Sequence, residues 1–547
     1  MDAREFYQQG PSLFVPNLEQ STLRESLNLV LPKALMDDAL PELQRFAAKV
    51  ADVVRPLGHD AEANPPRHVP FDPWGRRIDR IVTSPSWAAL ADFSAIEGLV
   101  SVAYERPCAE HSRVLQFAKL FLFHADSAFF SCPLAMTDGA ARAIELYGSP
   151  EHRQRFMKHL ISRDPKEFWT SGQWMTERTG GSDVSGTSTL AKLSGNGSYT
   201  LLGTKWFTSA TTSQMAMALA RTEGSPPGSK GLSLFCVKVH DDQGGLNAIE
   251  VHRLKDKLGT RALPTAELSL RGTPAEMVGE PGQGVKKIAS MINITRLHNS
   301  VCALSATARA LDLAMDYTQK RQAFGAALAH WPLHMATLQP WILAQEAWLQ
   351  ILFRLVAILG KEETTGATTQ ESATLRIMTP VIKAITAKVC LAATSEVIES
   401  FGGAGYIEDT GLPRLLRDAQ VFSIWEGTTN VLALDLLRCI EKEQAFPHFV
   451  DHVQSMLRGG DQGHLTQEAE SISGSIRALE GALQAEQGSG DLVAHARDFL
   501  MATGHVFSAA SLVSAARQQP GGKATTQAQQ WCRMPQNWSL SWAGIAT

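Results

Sequence analysis

Apolar residues recur at three- and four-residue spacing from Leu31 to Val53 and from Arg113 to Tyr147, the period of a helix with one buried face. Between these runs, Asn64-Pro-Pro-Arg67 and Phe71-Asp-Pro-Trp-Gly-Arg-Arg-Ile-Asp79 interrupt the period with proline, glycine and charge, which predicts an ordered loop. Near Phe168 the rhythm shortens. Ser198 to Gly203, Ala216 to Ala220 and Leu232 to Val239 read as strands, and Asn196-Gly197 is a hairpin signal. Several such strands in about 110 residues predict a small β-barrel or sandwich.

Helical spacing resumes at Gly284. Val285–Gln319, Trp331–Gly360 and Glu371–Phe401 have the length of antiparallel bundle helices, with a Thr-rich turn at 364–369. An Ala- and Gln-rich helical segment follows, with breaks at Gly459-Gly460, Gly488-Ser-Gly490 and Pro520-Gly-Gly522. The predicted class is α+β. It comprises an N-terminal helical domain (1–165), a middle β-barrel (166–283), a C-terminal four-helix bundle (284–440) and an additional helical segment (441–547). No Gly-x-Gly-x-x-Gly follows a strand and no Walker lysine motif is present, which argues against a Rossmann or P-loop nucleotide site.

A chain of 547 residues exceeds one ordinary core, so several structural units are expected. The formal charge of −4 gives no pull toward nucleic acid or anionic membrane. The seven cysteines are scattered, without a Cys-x-x-Cys pair, so buried reduced thiols are expected and no metal site. Residues 1–20 lack the features of a signal peptide, and no run of eighteen apolar residues predicts a membrane span. The expected location is cytoplasmic.

Five stretches could carry chemistry. Ser423-Ile-Trp-Glu426-Gly-Thr-Thr-Asn430 sets one carboxylate between an aromatic residue and a glycine. Such a Glu suits a dehydrated general base, but taken alone a Glu before a Gly at a helix start is more often a dipole or capping carboxylate. Gln173-Trp-Met-Thr-Glu-Arg-Thr-Gly-Gly-Ser-Asp183 offers hydroxyls and glycine amides for a ring edge and a phosphate; otherwise it is a polar turn. In Lys205-Trp206-Phe-Thr208, period-two alternation puts Trp206 and Thr208 on one strand face, where a planar cofactor could lie, or where Trp206 is simply barrel wall. Arg321-Gln-Ala-Phe324-Gly325 suits a pyrophosphate and an aromatic contact, or a plain helix C-cap. Phe401-Gly-Gly-Ala-Gly-Tyr406 permits close backbone approach, or only ends a helix.

Taken in their order along the chain, from Gln173 to Asn430, the five motifs resemble those of the acyl-CoA dehydrogenase superfamily over roughly residues 90–440. Asn64-Pro-Pro, Trp74-Gly-Arg-Arg-Ile-Asp79, Ser131-Cys-Pro-Leu-Ala-Met136, Leu254-Lys-Asp-Lys-Leu-Gly259 and the C-terminal segment extend the resemblance to the AidB-like branch. The resemblance implies FAD as cofactor. It places Met175, Thr176, Gly181 and Ser182 along the flavin or its pyrophosphate, and Trp206 and Thr208 beside the isoalloxazine. Arg321, Phe324, Gly402 and Gly403 would reach the FAD of a neighbouring subunit, with Thr428 and Asn430 at the phosphates of the chain's own FAD. Glu426 falls on the catalytic base. Glu399 and Asn430 stand where relatives commonly carry Gln, Ala433 where Arg is frequent, and Pro332 where Gln is common.

The implied reaction is α-proton abstraction from an acyl-CoA thioester by Glu426, with the β-hydride passing to the flavin to give a trans-2-enoyl-CoA. A flavoprotein or oxygen would then accept the electrons, and the assembly would be a homotetramer. Two alternatives stay open: a flavoprotein that binds acyl-CoA, or less plausibly DNA, with little turnover, and an acyl-CoA oxidase. Residues 441–547 carry seven Lys/Arg against ten Asp/Glu, which disfavours DNA.

Overall fold

The computed structural model describes residues 8–194, 197–485, 491–518 and 520–534, and these form two compact units. One comprises Ala48–Pro107 and Leu122–His298, the other Met1–Ala47, Cys108–Phe121 and Asn299–Thr547.

In the first of these, the Pro-rich stretch expected to be loop is instead an antiparallel hairpin, β1 (Arg67–Phe71) and β2 (Arg77–Val82). The reason is local. Asp72 Oδ1 accepts from the amides of Trp74 and Arg76, and Gly75 takes φ 81°, so the Asp-Pro-Trp-Gly run builds a tight turn. The register slips between Val69 and Phe71, an irregularity that tolerates Pro70 without its N–H. Arg77 and Asp79 then tie the hairpin to Val251, through its carbonyl and amide respectively. The predicted helical stretch Arg113–Tyr147 is two helices, Ser112–His124 and Ser131–Tyr147, parted by Ala128 and Phe129 at positive φ.

The barrel contains β3 (Ser171–Trp174), β4 (Leu190–Leu193), β5 (Tyr199–Ser209), β6 (Met215–Thr222), β7 (Leu232–Lys238), β8 (Ile249–Leu254) and β9 (Thr265–Met277). The path β6–β4–β5–β9–β7 closes through β6–β7, β3 continues the β4 edge of β6, and β8 adds to β9. Strand β6 is buried along most of its length. Its Met215, Met217 and Leu219 pack with Ala140, Ile144, Ile288 and Met291 from helices, whereas Ala216, Ala218 and Ala220 join Trp174, Phe235 and Leu268. Period-two alternation thus divides one strand between two cores, with the small residues on one face. Leu193 and Tyr199 pair as a hairpin would require; Asn196 lies outside the described residues.

In the other unit, residues 299–320 of the helix Gly284–Lys320 combine with Pro332–Glu363, Thr369–Ser400 and Thr429–Glu443. Thr368 and Glu371 form a reciprocal capping box that fixes the start of Thr369–Ser400. The C-terminal segment is not an appendage. Ala496–Gln518 is buried along most of its length, and a Cβ built on Gly504 would lie 2.2 Å from Ile385 Cδ1. Pro332–Glu363 and Ala496–Gln518 are long and apolar enough to cross a membrane on average hydropathy, but 78% and 83% of their most apolar windows are buried within the fold. Of the predicted breaks, Gly488–Gly490 lies outside the described residues.

Candidate active site

Glu426 follows the short turn Gln420–Ser423 and precedes the helix Thr429–Glu443. Its φ is 56° and that of Gly427 is 104°, so two consecutive residues leave the right-handed region. For glycine this is inexpensive; for Glu426 the left-handed conformation costs about 1–2 kcal/mol. Side chains on both flanks hold the turn. Trp425 Nε1 donates to Asn299 Oδ1 at 2.5 Å, and Asn299 Nδ2 donates to Phe422 O at 3.3 Å. On the other side Lys383, which is 0% exposed, donates through Nζ to the Gly427 carbonyl at 2.6 Å. The Glu426 side chain itself is half-buried.

Thr428 occupies the N-cap of the next helix, yet its hydroxyl does not cap it, unlike those of Ser21, Ser84 and Thr368 on their own helices. Thr428 and Asn430 are exposed at this helix start, where backbone N–H groups favour an anion. In the same unit Arg321 is exposed, and Phe324-Gly325 is not a helix C-cap. It is the tip of a two-residue hairpin between Gln322–Ala323 and Ala326–Ala327. Both tip residues have positive φ, 54° and 85°, as a type I′ turn requires, and Phe324 is 94% exposed. Gly402, at φ 60°, and Gly403 open the short turn Gly402–Tyr406, and a Cβ on either would meet nothing within 4 Å.

In the barrel unit the structure brings two motifs together. The Trp206 amide donates to the Thr176 carbonyl at 3.0 Å, joining β5 to the loop after β3. A Cβ on Gly181 would lie 2.5 Å from Thr176 Oγ1, so only glycine lets the loop fold back this closely. Met175 is buried; Gly181 and Ser182 are exposed. The loop is anchored by Glu177. It accepts from the amides and hydroxyls of Ser188 and Thr189 and from Lys205 Nζ at 2.9 Å. Burial pushes the Glu177 carboxyl up, but the Lys205 ammonium and these hydrogen bonds outweigh it and hold the group at about 2.

Trp206 and Thr208 do not share one face as simple alternation predicts. A register shift between Lys205 and Thr208 inserts an extra residue, so Lys205 and Thr208 both become buried while Phe207 is exposed. Thr208 Oγ1 donates to Ala266 O at 2.8 Å and keeps its acceptor capacity. Trp206 is half-buried, with Lys255 Nζ 3.9 Å from its ring centroid.

Of the supporting residues, Glu177 and Lys205 lie within two of the motifs without being read as site residues, whereas Asn299 and Lys383 lie outside all five. Lys383 does carry a signal: it is a lone charge within the apolar helical stretch Met378-Thr-Pro-Val-Ile-Lys383-Ala-Ile, and an isolated lysine there needs a buried partner.

Four family profiles match successive parts of the chain. They are the adaptive response protein AidB N-terminal domain (residues 15–165), the acyl-CoA dehydrogenase middle domain (172–273), the acyl-CoA dehydrogenase C-terminal domain (282–440) and the acyl-CoA dehydrogenase 11 C-terminal domain-like region (444–538). Acyl-CoA dehydrogenase family member 11 of Caenorhabditis elegans is 42% identical over 88% of this chain and 78% of its own length. The AidB protein of Escherichia coli strain K12 is 32% identical over 74% of this chain and 75% of its own. Among solved structures, C. elegans ACDH-11 in complex with C11-CoA superposes with a TM-score of 0.93 at 38% identity, covering 98% of this chain and 95% of that one. The apo form of Bd2924 superposes with a TM-score of 0.87 at 50% identity, covering 93% and 100%.

Proposed function

The chain belongs to the acyl-CoA dehydrogenase family, and on that premise we propose that it binds FAD and oxidises an acyl-CoA thioester, with Glu426 as the base that removes the α-proton. The observation that carries this reading is the Glu426–Gly427 turn. A carboxylate is held there in a strained left-handed conformation by two buried side chains from neighbouring helices. Such strain persists where the surroundings over-determine it, a pattern typical of active sites.

The residues present fit FAD. Gly181 and Ser182 are exposed beside the partly buried Thr176, and Oε1 of Gln173, on the strand leading into that loop, is buried without a hydrogen-bond partner among the described residues. The uncapped start of Thr429–Glu443 suits a pyrophosphate. In the barrel unit Thr176, Gly181, Ser182, Trp206 and Thr208 would hold a flavin; in the other unit, considered by itself, Thr428 and Asn430 would meet phosphates. When bound, FAD supplies the hydride acceptor. Glu426 takes the α-proton on its carboxylate. The support on Trp425 and Gly427 keeps the carboxylate from swinging away, which matters because a base must lie within hydrogen-bond reach of its proton.

The ACDH-11 complex with C11-CoA supports an acyl-CoA as the ligand. The exposed Phe324 and Tyr406, at 94% and 87%, support a homotetramer in which Phe324, Arg321, Gly402 and Gly403 reach a neighbour's cofactor. A flavoprotein or oxygen completes the cycle as acceptor.

Purified yellow enzyme is mixed anaerobically with a series of acyl-CoAs. Wild type bleaches with at least one of them, and Glu426→Gln binds FAD equally well but bleaches about 10²- to 10⁴-fold more slowly. Bleaching of Glu426→Gln at the wild-type rate refutes the assignment. A wild type that binds acyl-CoA tightly but never bleaches identifies a binding protein instead.

A further inference from the structure

We infer that Lys383 and Asn299 act together as positioning residues for Glu426, the first holding the peptide after it and the second the turn that leads into it, so that the base is set before substrate arrives. The inference rests on the reading of Glu426 as base. Two buried polar groups carry it. Lys383 lies on the helix Thr369–Ser400, is 0% exposed, and its Nζ holds the Gly427 carbonyl at 2.6 Å. Asn299 is 4% exposed, with its two amide atoms on Phe422 O and Trp425 Nε1. Two of these contacts fall on the residues flanking Glu426 and the third on Phe422, four residues before it; none of the three is to the carboxylate.

The chemistry of the two residues suits this division of labour. An enclosed ammonium has to be hydrogen-bonded, and one bond of Lys383 Nζ goes to the Gly427 carbonyl. The consequence is geometric. A charge-assisted hydrogen bond is roughly twice as strong as a neutral one and resists rotation of the Gly427 peptide. Glycine at φ 104° has no side chain to restrict that rotation. Asn299 does the corresponding work before the base. By joining Phe422 to Trp425 it spans the Ser423-Ile424 step and sets the direction in which the chain enters Glu426. Without either contact, Glu426 can relax from φ 56° toward the right-handed region, and its carboxylate moves with the backbone.

The test uses the FAD-loaded enzyme, with flavin bleaching by its best acyl-CoA as readout. Lys383→Met and Asn299→Ala each remove one contact, and Lys383→Gln keeps a donor. The expected result is a fall of about 100-fold in the bleaching rate at saturation, as for a displacement near 1 Å. The half-saturating acyl-CoA concentration stays within about threefold, because binding of the thioester does not depend on the clamp. Lys383→Gln recovers about tenfold of the loss, as a neutral donor replaces a charged one. Should Lys383→Met not accumulate as folded protein, Asn299→Ala decides the matter by the same split. Folded, yellow Asn299→Ala that bleaches at the wild-type rate overturns the inference, as does a variant whose half-saturation rises while its saturated rate is unchanged. Glu426→Gln run in parallel separates the claims. If it loses bleaching while the clamp variants keep it, the base stands and only the clamp falls. If it bleaches like wild type, the base assignment fails and the clamp with it.

Discussion

Lys205 and Glu177 form an enclosed ion pair in the barrel unit, Nζ to Oε1 2.9 Å, with side chains 0% and 3% exposed. Lys205 also donates to Leu219 O at 2.8 Å, so one ammonium joins the Thr176–Ser182 loop, strand β5 and strand β6. Removing one partner leaves a buried charge uncompensated. Glu177→Gln is expected to cost about 3–5 kcal/mol in urea unfolding at pH 7.

The same pair sets a pH dependence. Glu177 sits at about 2 in the fold against an ordinary 4.5, so its stabilising contribution is complete above pH 4.5 and is lost as pH falls toward 2. The stability gap between wild type and Glu177→Gln therefore narrows between about pH 5 and about pH 2. A gap that stays constant over that range contradicts the assignment of charge.

Lys255 lies 3.9 Å from the Trp206 ring centroid and 4.4 Å from that of Phe207, and its ammonium also meets Glu267 at 2.6 Å. One face of the indole is thus occupied by a cation. Trp206→Ala is expected to weaken FAD retention at least about tenfold in equilibrium dialysis, whereas Lys255→Met costs about 0.5–1 kcal/mol of stability with FAD retained. Equal FAD affinity in Trp206→Ala and wild type would remove Trp206 from the flavin site.

Phe324 stands at a hairpin tip with 94% exposure. Within its own unit the ring meets Trp331 edge-on, with centroids 6.2 Å apart, and this surface contact covers little of it. Phe324→Ala is expected to leave the melting temperature of the FAD-free chain unchanged and to lower both FAD retention and the molar mass seen by light scattering. An unchanged mass with full FAD retention counts against a cross-subunit role.

Gly504 lets the helix Ala496–Gln518 lie close against Thr369–Ser400, where a Cβ on it would come within 2.2 Å of Ile385. Gly504→Val should destabilise by about 1–3 kcal/mol through overpacking and should affect the whole unit cooperatively. Loss of the C-terminal helices alone, with the rest melting as wild type, would mean that the segment folds separately.

Helix positions are legible because their apolar period is long. The spacing predicts Val285–Gln319 where Gly284–Lys320 is observed, and the other long bundle helices agree nearly as closely. The middle strands are legible where both faces are apolar, as in Met215–Thr222, whereas β3, β4, β8 and β9 give patterns too short or too irregular to read. The β1–β2 hairpin is hidden because proline and charge suggest a loop, while its stability comes from Asp72 and Asp79 accepting bonds. The motif residues are legible as a set. Their supports are not, because Lys383 and Asn299 reach the Glu426 turn across 44 and 123 to 126 residues of sequence. The bulge at Lys205–Thr208 is hidden for a similar reason: strand partners, not the local sequence, decide where a register slips.

The left-handed backbone at Glu426 also sets stability against activity. Asn and Gly tolerate that conformation far better than Glu, so Glu426→Asn should melt at a higher temperature than wild type, by a margin worth up to about 1 kcal/mol, while losing turnover. A stabilising substitution at the one position where chemistry is lost would show that this residue was retained for what it does to a substrate, at the expense of the fold that carries it.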